Sequence, residues 1–93
     1  MKLFYIYQEE QGGYDTYDSA VVAAEDSNAA VRMPADYEYH FYNEDGILCA
    51  KYNGQPEQWP TWATNVKNVN VREIGEAVPG TLAGVILASF NAG

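Results

Sequence analysis

The sequence has little of what most catalytic and metal-binding proteins require. One cysteine (Cys49) and one histidine (His40) occur among 93 residues. A single cysteine excludes an intrachain disulfide, which favours a reducing compartment such as the cytoplasm. These two residues also fall short of the four His or Cys ligands of a structural zinc site. We therefore expect no metal and no cofactor.

Basic residues are scarce as well. Five Lys and Arg stand against thirteen Asp and Glu, so the formal net charge is -8. Phosphates demand Lys and Arg, so this balance argues against direct binding of nucleic acid. No glycine-rich phosphate loop is present, and no apolar run approaches the ~18 residues of a membrane span. We expect neither nucleic acid nor membrane as a partner.

His40 and Cys49 are the only residues that suggest nucleophilic catalysis, because they fall on neighbouring strands of a predicted hairpin. Whether the two side chains lie close together depends only on the register in which the two strands of the hairpin pair. A single cysteine in an apolar strand is more often buried packing, and a strand histidine is more often a surface residue. We therefore expect that the protein is not an enzyme.

What the sequence does contain is an uneven distribution of charge and aromatic residues. Residues 1–46 hold ten of the thirteen acids, two of the five bases and seven of the eight tyrosines. The interleaving in GYDTYD and DYEYHFYNED predicts an acidic, tyrosine-rich face. An alternative interpretation is that Tyr favours strands while the acids keep the outer surface soluble.

Local patterns predict the first elements. Residues 2–8 and 19–25 have the composition and length of strands. The Asp26-Ser27 pair predicts the cap of a helix over 28–33, because a side-chain oxygen there accepts hydrogen bonds from free amides. Pro34 ends this helix, since it lacks an amide hydrogen.

The second part of the chain predicts further strands. Residues 37–52 form a hairpin with its turn at Asn43–Gly46. A helical turn is expected at 60–65 and a half-buried strand over 68–75. Residues 85–90 are nearly all apolar, so we expect this last strand to be central or buried.

The predicted fold class is α+β. Residues 1–93 form a single small domain, a mostly antiparallel sheet of five to six strands with one short helix packed on it. Trp59 and Trp62 flank a proline, a pattern that often covers the edge of a small core. The alternative is that they form a stacking wall for a ring-shaped ligand or an anchor for a partner.

Three segments, KLFYIYQEEQGGYDTYDSAVVAAEDSNAA, NVREIGEA and GVILASFNAG, resemble a family of short proteins encoded by bacteriophages and prophages. The resemblance covers both ends of the chain and leaves residues 33–62 unmatched. It implies a phage accessory protein in the cytoplasm of a bacterial host, and it brings no catalytic residues. Small acidic phage proteins are often similar to inhibitors of host defence, anti-CRISPR proteins among them, which is an analogy from context and charge.

The leading hypothesis is a non-enzymatic phage protein that binds and inhibits a bacterial defence component, a protein or ribonucleoprotein with a basic surface. Clustered carboxylates compete with phosphates for the Lys and Arg of such a surface. The expected contact residues are eight carboxylates and three tyrosines: Glu9, Glu10, Asp15, Asp18, Asp36, Glu38, Glu44, Asp45, Tyr14, Tyr17 and Tyr42.

Two other hypotheses stay open. A sequestering module for a small nucleotide or signalling ligand would stack it on Tyr52, Trp59 and Trp62. A phage structural or morphogenesis protein would have no host target, and it would be recovered from purified virions. A homodimer is a further option, because an exposed apolar last strand would favour it.

Overall fold

The computed structural model describes residues 1–91, which form six β-strands, one α-helix and one 3-10 turn. The strands are β1 (Lys2–Tyr7), β2 (Thr16–Ala24), β3 (His40–Tyr42), β4 (Leu48–Ala50), β5 (Asn70–Glu76) and β6 (Gly84–Asn91). The helix is α1 (Ser27–Val31), and the 3-10 turn spans Val66–Asn68. The predicted α+β class, with a mostly antiparallel sheet and one short helix, is confirmed.

Four strands form the main sheet in the order β5-β1-β2-β6, and every pairing is antiparallel. β1 and β2 occupy its centre. Ile6 pairs with Ala20 on one side and Val71 on the other, so apolar side chains from three strands lie side by side. The period-two alternation of β1, with Phe4 and Ile6 buried, places these residues on one inner face.

The core lies between this inner face and a second layer built from α1, the β3–β4 hairpin and the segment around residue 62. The residues of this cluster are buried and largely apolar: Phe4, Ile6, Ala20, Val22, Ala24, Ala30, Ala35, Tyr42, Leu48, Trp62, Ala63 and Val69. Trp62 is the largest fully buried side chain. Both layers depend on this cluster, because neither can bury its apolar side alone.

The α1 cap agrees with the prediction. Asp26 has an extended backbone, and its Oδ1 accepts a hydrogen bond from the Ala29 amide at 2.8 Å. The helix ends at Val31, three residues before Pro34. Ala30 is its one buried residue and enters the core.

The predicted hairpin is confirmed, but its paired part is shorter than residues 37–52. β3 pairs with β4 from His40 opposite Ala50 to Tyr42 opposite Leu48. Residues 37–39 form a turn instead, in which the amides of Tyr39 and His40 both donate to the Asp36 carbonyl. This turn carries exposed polar and aromatic side chains away from the strand ladder.

Two predictions about later elements are wrong. Residues 60–65 form bends, and a 3-10 turn begins only after Asn65, whose side chain caps it through the Lys67 amide. Within the described residues 1–91, β6 pairs only with β2 and forms an edge of the sheet, with Ile86, Leu87 and Phe90 exposed. A nearly apolar strand was expected at the centre, but the small residues of β2 fill that position.

Candidate functional site

Several predicted contact residues lie exposed around the β1–β2 loop and the start of β2. Glu9, Tyr14, Asp15 and Asp18 all face solvent. Asp15 has φ 58, a conformation that Asp tolerates better than most residues, and its amide donates to the Asn91 carbonyl at 2.5 Å. The loop is therefore anchored to the end of β6 while its carboxylates stay accessible.

A second group of predicted residues is brought together from two distant parts of the chain. The amide of Tyr17 donates to the Thr61 carbonyl, and Thr61 Oγ1 donates to Asp36 Oδ2 at 3.2 Å. Partial burial raises the pKa of the Tyr17 hydroxyl, and the nearby charges of Asp36 and Glu38 raise it further. We call Tyr17, Asp36, Glu38 and Tyr39 the acidic-aromatic surface.

Glu10 has a structural role. Its carboxylate accepts hydrogen bonds from the Thr64 amide (2.7 Å), the Thr64 hydroxyl (2.5 Å), the Asn68 side chain (2.7 Å) and the Gln11 side chain (3.0 Å). Partial desolvation raises its pKa, but the bonds from Thr64, Asn68 and Gln11 outweigh this effect and lower the pKa from 4.5 to about 2. Glu10 joins the first loop to residues 64–68, so much of its acceptor capacity is already used.

Glu44 and Asp45 lie exposed at the tip of the β3–β4 turn. The Arg32 guanidinium donates to the carbonyls of Tyr42 (3.1 Å) and Asn43 (2.7 Å) at the base of the turn. Within residues 1–91, no hydrogen bond or ion pair links these two carboxylates to the acidic-aromatic surface. They remain a separate acidic tip with a positive charge close by.

Two aromatic residues of the predicted sites lie inside the core. The Tyr42 hydroxyl donates to the Ala63 carbonyl at 2.7 Å, and burial, followed by the charge of Glu10, raises the pKa of this hydroxyl. Trp62 is fully buried. The prediction of Tyr42 as a partner contact and that of Trp62 as a ligand contact are therefore both wrong. Neither ring can reach a partner or ligand, because each fills the space between the two layers.

Tyr52 and Trp59, in contrast, are 88% and 83% exposed. Both line a groove of about 550 Å³, together with Glu57. A neighbouring depression of about 450 Å³ shares Tyr52 and Glu57 with this groove and reaches Glu38 and Tyr39. Tyr52 and Trp59 of the ligand-binding hypothesis and Glu38 of the acidic-face hypothesis therefore border adjoining depressions.

The buried imidazole of His40 contacts Glu57, one of the residues that line this groove. His40 Nε2 lies 2.6 Å from Glu57 Oε2, and Nδ1 lies 3.3 Å from Asp36 Oδ2 without hydrogen-bond alignment. Glu57 Oε1 accepts from the Trp59 amide at 3.1 Å. This backbone bond, together with the contact to His40, lowers the pKa of the Glu57 carboxyl despite partial desolvation. Asp36, His40 and Glu57 thus hold the Trp59 segment in place.

Sequence reasoning missed this support. His40 and Glu57 are separated by 17 positions, and residues 53–58 form a loop with no periodic pattern. Asp36 and His40 are four positions apart, a spacing that points to contact only in a helix. Here a turn brings them together instead, so local patterns contain no signal for the arrangement.

The register also separates His40 from Cys49. His40 lies opposite Ala50, whereas Cys49 lies opposite Phe41, so the two side chains point to opposite faces of the hairpin. The Cys49 thiol is buried and donates to the Ile47 carbonyl. Because His40 faces two carboxylates and no nucleophile, its geometry suits positioning of Glu57 and does not form a nucleophilic pair.

Residues 1–91 contain no group of three or more His, Cys, Asp and Glu side chains arranged to hold a metal ion. No helix in the same residues is long and apolar enough to cross a membrane. Comparison with protein-family models, with curated proteins and with solved structures finds no match to this chain. The geometry and chemistry of the site are therefore the basis on which a function can be inferred.

Proposed function

We propose that this chain is a non-enzymatic binding protein that inhibits a bacterial defence component by occupying its basic, nucleic-acid-binding surface. The observation that carries the proposal is the groove lined by the exposed rings of Tyr52 and Trp59, together with the exposed Glu38 of the depression that adjoins it. Arg and Lys side chains pair with carboxylates and lie over aromatic faces. A groove with both features suits a partner rich in these cations.

The surroundings of the groove extend the same chemistry. Glu38 and Tyr39 connect it to the acidic-aromatic surface, and Asp18 lies exposed next to Tyr17. Exposed Trp and Tyr side chains commonly supply the affinity of a protein interface, whereas surrounding charges supply orientation and association rate. The contact region therefore combines two aromatic anchors with several carboxylates.

Inhibition follows from competition. A defence enzyme that acts on nucleic acid holds phosphates with clustered Lys and Arg, and carboxylates that pair with these cations exclude the phosphates. The resemblance to phage-encoded proteins supplies the cellular context, a bacterial cytoplasm during infection. The partner is expected to be a protein or ribonucleoprotein, and binding should weaken as salt concentration rises.

The test begins with affinity purification of the tagged chain from infected bacteria, followed by measurement of the dissociation constant for the purified partner. Glu38→Lys and Trp59→Ala should each weaken binding at least about tenfold, which corresponds to about 1.4 kcal/mol. Glu76→Lys is the matched control, because Glu76 is exposed on β5 away from the groove and the change in charge is the same. Equal affinity of all three variants would contradict the proposal.

The groove also favours a second candidate, a sequestering module for a small ligand, since Tyr52 and Trp59 line the same space. Anionic nucleotides suit it poorly, because within residues 1–91 Lys51 is the one Lys or Arg that borders the groove and its depression. The Lys51 ammonium already lies 5.7 Å from the centre of the Tyr37 ring. Nucleotide-induced quenching of tryptophan fluorescence that disappears in Trp59→Phe would favour this candidate. Trp62 is buried and should not respond.

A further inference from the structure

The edge of the main sheet formed by β6 has no strand beside it within residues 1–91. β6 spans eight residues, Gly84–Asn91, and pairs with β2 on its other side. In an edge strand, alternate backbone N–H and C=O groups face outward without a partner strand. An unpaired edge of this length is a template for another strand.

This edge lacks the charges that usually protect such strands. Residues 77–91 contain no charged side chain, and β6 itself contains no proline. The opposite edge, β5, carries Arg72, Glu73 and Glu76. The one protective feature of β6 is a bulge, because Val85 and Leu87 pair with adjacent residues of β2 and Ile86 has no partner there.

An apolar row leads across the outer face of the sheet to this edge. Leu87 lies opposite Val21, and Val21 lies opposite Tyr5, whose ring stacks on that of Tyr7 at 5.3 Å. Leu87 is 69% exposed. A shallow depression of about 300 Å³ lies between Tyr5, Val21 and Leu87. Antiparallel sheets usually present polar residues on their open face, so this row indicates a contact surface.

We propose that a second copy of this chain occupies the edge, with the two β6 strands paired antiparallel about a two-fold axis. The product is a continuous eight-stranded sheet with both α1 helices on one side. A strand related to its copy by such an axis is its own antiparallel complement, so one surface serves both subunits. The apolar rows of the two copies then meet on the same outer face.

The absence of charge at this edge limits the repulsion between two copies of the chain. Two molecules of net charge -8 repel each other over most orientations, but the contacting segment is uncharged. The ring of Phe90 lies 4.8 Å from that of Tyr17, so the acidic-aromatic surface adjoins one end of β6. Antiparallel pairing places the two acidic surfaces at opposite ends of an interface about 27 Å long, at ~3.4 Å per residue.

Backbone pairing alone gives a narrow contact, whereas a stable dimer buries about 800 Å² per partner. The exposed side chains of Ile86, Leu87 and Phe90 provide apolar surface next to the paired edge. Removal of the apolar side chain of Leu87, near the middle of β6, should therefore separate the two subunits. None of these side chains lines the groove of Tyr52 and Trp59, so dimerisation and partner binding can fail independently.

The test is the mass of the full chain in solution, measured by sedimentation or light scattering up to about 100 µM, since association depends on concentration. The expected mass is twice 10.3 kDa. Leu87→Lys should be monomeric, because it replaces the exposed apolar contact by two like charges. Ile74→Lys is the matched control on the opposite edge, where Ile74 is 49% exposed, and it should remain dimeric. Circular dichroism checks that both variants are folded.

Three outcomes would overturn the proposal. The first is a monomeric wild-type chain at every concentration, and the second is a dimer that Leu87→Lys leaves intact. The third is a dimer in which β6 amides exchange hydrogen as fast as in the Leu87→Lys monomer, because paired edge amides are protected whereas packing of two outer faces leaves them open. Slower exchange along β6 in the dimer supports strand pairing.

Discussion

At the scale of single residues, Glu10 shows how an acidic side chain can stabilise an already acidic protein. Its carboxylate accepts four hydrogen bonds, three of them from Thr64 and Asn68, which lie 54 and 58 positions away. A charged acceptor strengthens each bond. The Glu10 carboxylate therefore holds residues 64–68 against the loop between β1 and β2.

Replacement of Glu10 by Gln should lower the free energy of unfolding by about 1 kcal/mol, because the amide nitrogen faces donors that need an acceptor. Urea denaturation measures this difference. Glu9→Gln is the control, since Glu9 is exposed and its side chain forms no hydrogen bond within residues 1–91. An equal effect of both substitutions would show that charge alone, and not the hydrogen bonds, is responsible.

The low pKa of Glu10 adds a dependence on pH. Its folded pKa of about 2 lies below the ordinary value of 4.5, so the unfolded chain binds a proton first as pH falls. The stabilisation is complete above pH 4.5 and is lost as the pH falls to about 2. Wild-type stability should fall more steeply than that of Glu10→Gln between these values. Parallel curves for the two proteins would contradict the assignment.

At the scale of elements, the β3–β4 turn depends on two properties of Gly46. Its φ of 76 is unfavourable for residues with a side chain, and a Cβ placed there would lie 2.7 Å from Val66 Cγ1. Gly54 has a similar φ of 70 but open space around it. The two glycines therefore allow backbone strain and steric contact to be measured separately.

We expect Gly54→Ala to lower the free energy of unfolding by about 1 kcal/mol, from backbone strain alone. Gly46→Ala should cost a further 1–3 kcal/mol, roughly, because Val66 is β-branched and adjusts poorly. Thermal or urea denaturation of both variants gives the comparison. In a Val66→Ala background the extra cost at Gly46 should disappear; if it persists, the contact with Val66 is not its cause.

At the scale of the whole molecule, the charge pattern opposes folding stability. Ten acids lie in residues 1–46, and the acidic-aromatic surface places Asp36 and Glu38 near Tyr17. The like charges of Asp36 and Glu38 repel each other, and salt weakens this repulsion. An acidic surface that costs stability is typical of a surface used for binding.

Glu38→Lys should therefore stabilise the fold at low salt by a few tenths of a kcal/mol while it weakens partner binding. Glu76→Lys changes the net charge equally, but it should stabilise less because Glu76 lies outside this cluster. Denaturation at low and physiological salt measures the difference, which should shrink as salt increases. A destabilised Glu38→Lys would contradict the proposed repulsion.

Local patterns were sufficient for elements whose formation depends on neighbouring residues. The strand predicted over residues 2–8, the cap at Asp26 and the turn at Asn43–Gly46 all appear in the structure where the sequence predicts them. Each is governed by a short-range rule of backbone geometry or hydrogen bonding. The prediction of a helical turn at 60–65 is wrong, because long-range hydrogen bonds hold this segment in bends. One of them is the bond from the Thr61 hydroxyl to Asp36.

The amino-acid sequence by itself determined the strand-rich α+β class, the positions of the first two strands and the acidic character of the first half. Only the tertiary structure decided that Trp62 is buried while Trp59 is exposed, that Glu57 meets His40, and that β6 forms an edge. The physical reason is the distance along the chain over which each feature is specified. Composition and periodicity are local, and they specify which side of an element is apolar. Which element covers that side depends on pairings between residues far apart in the chain.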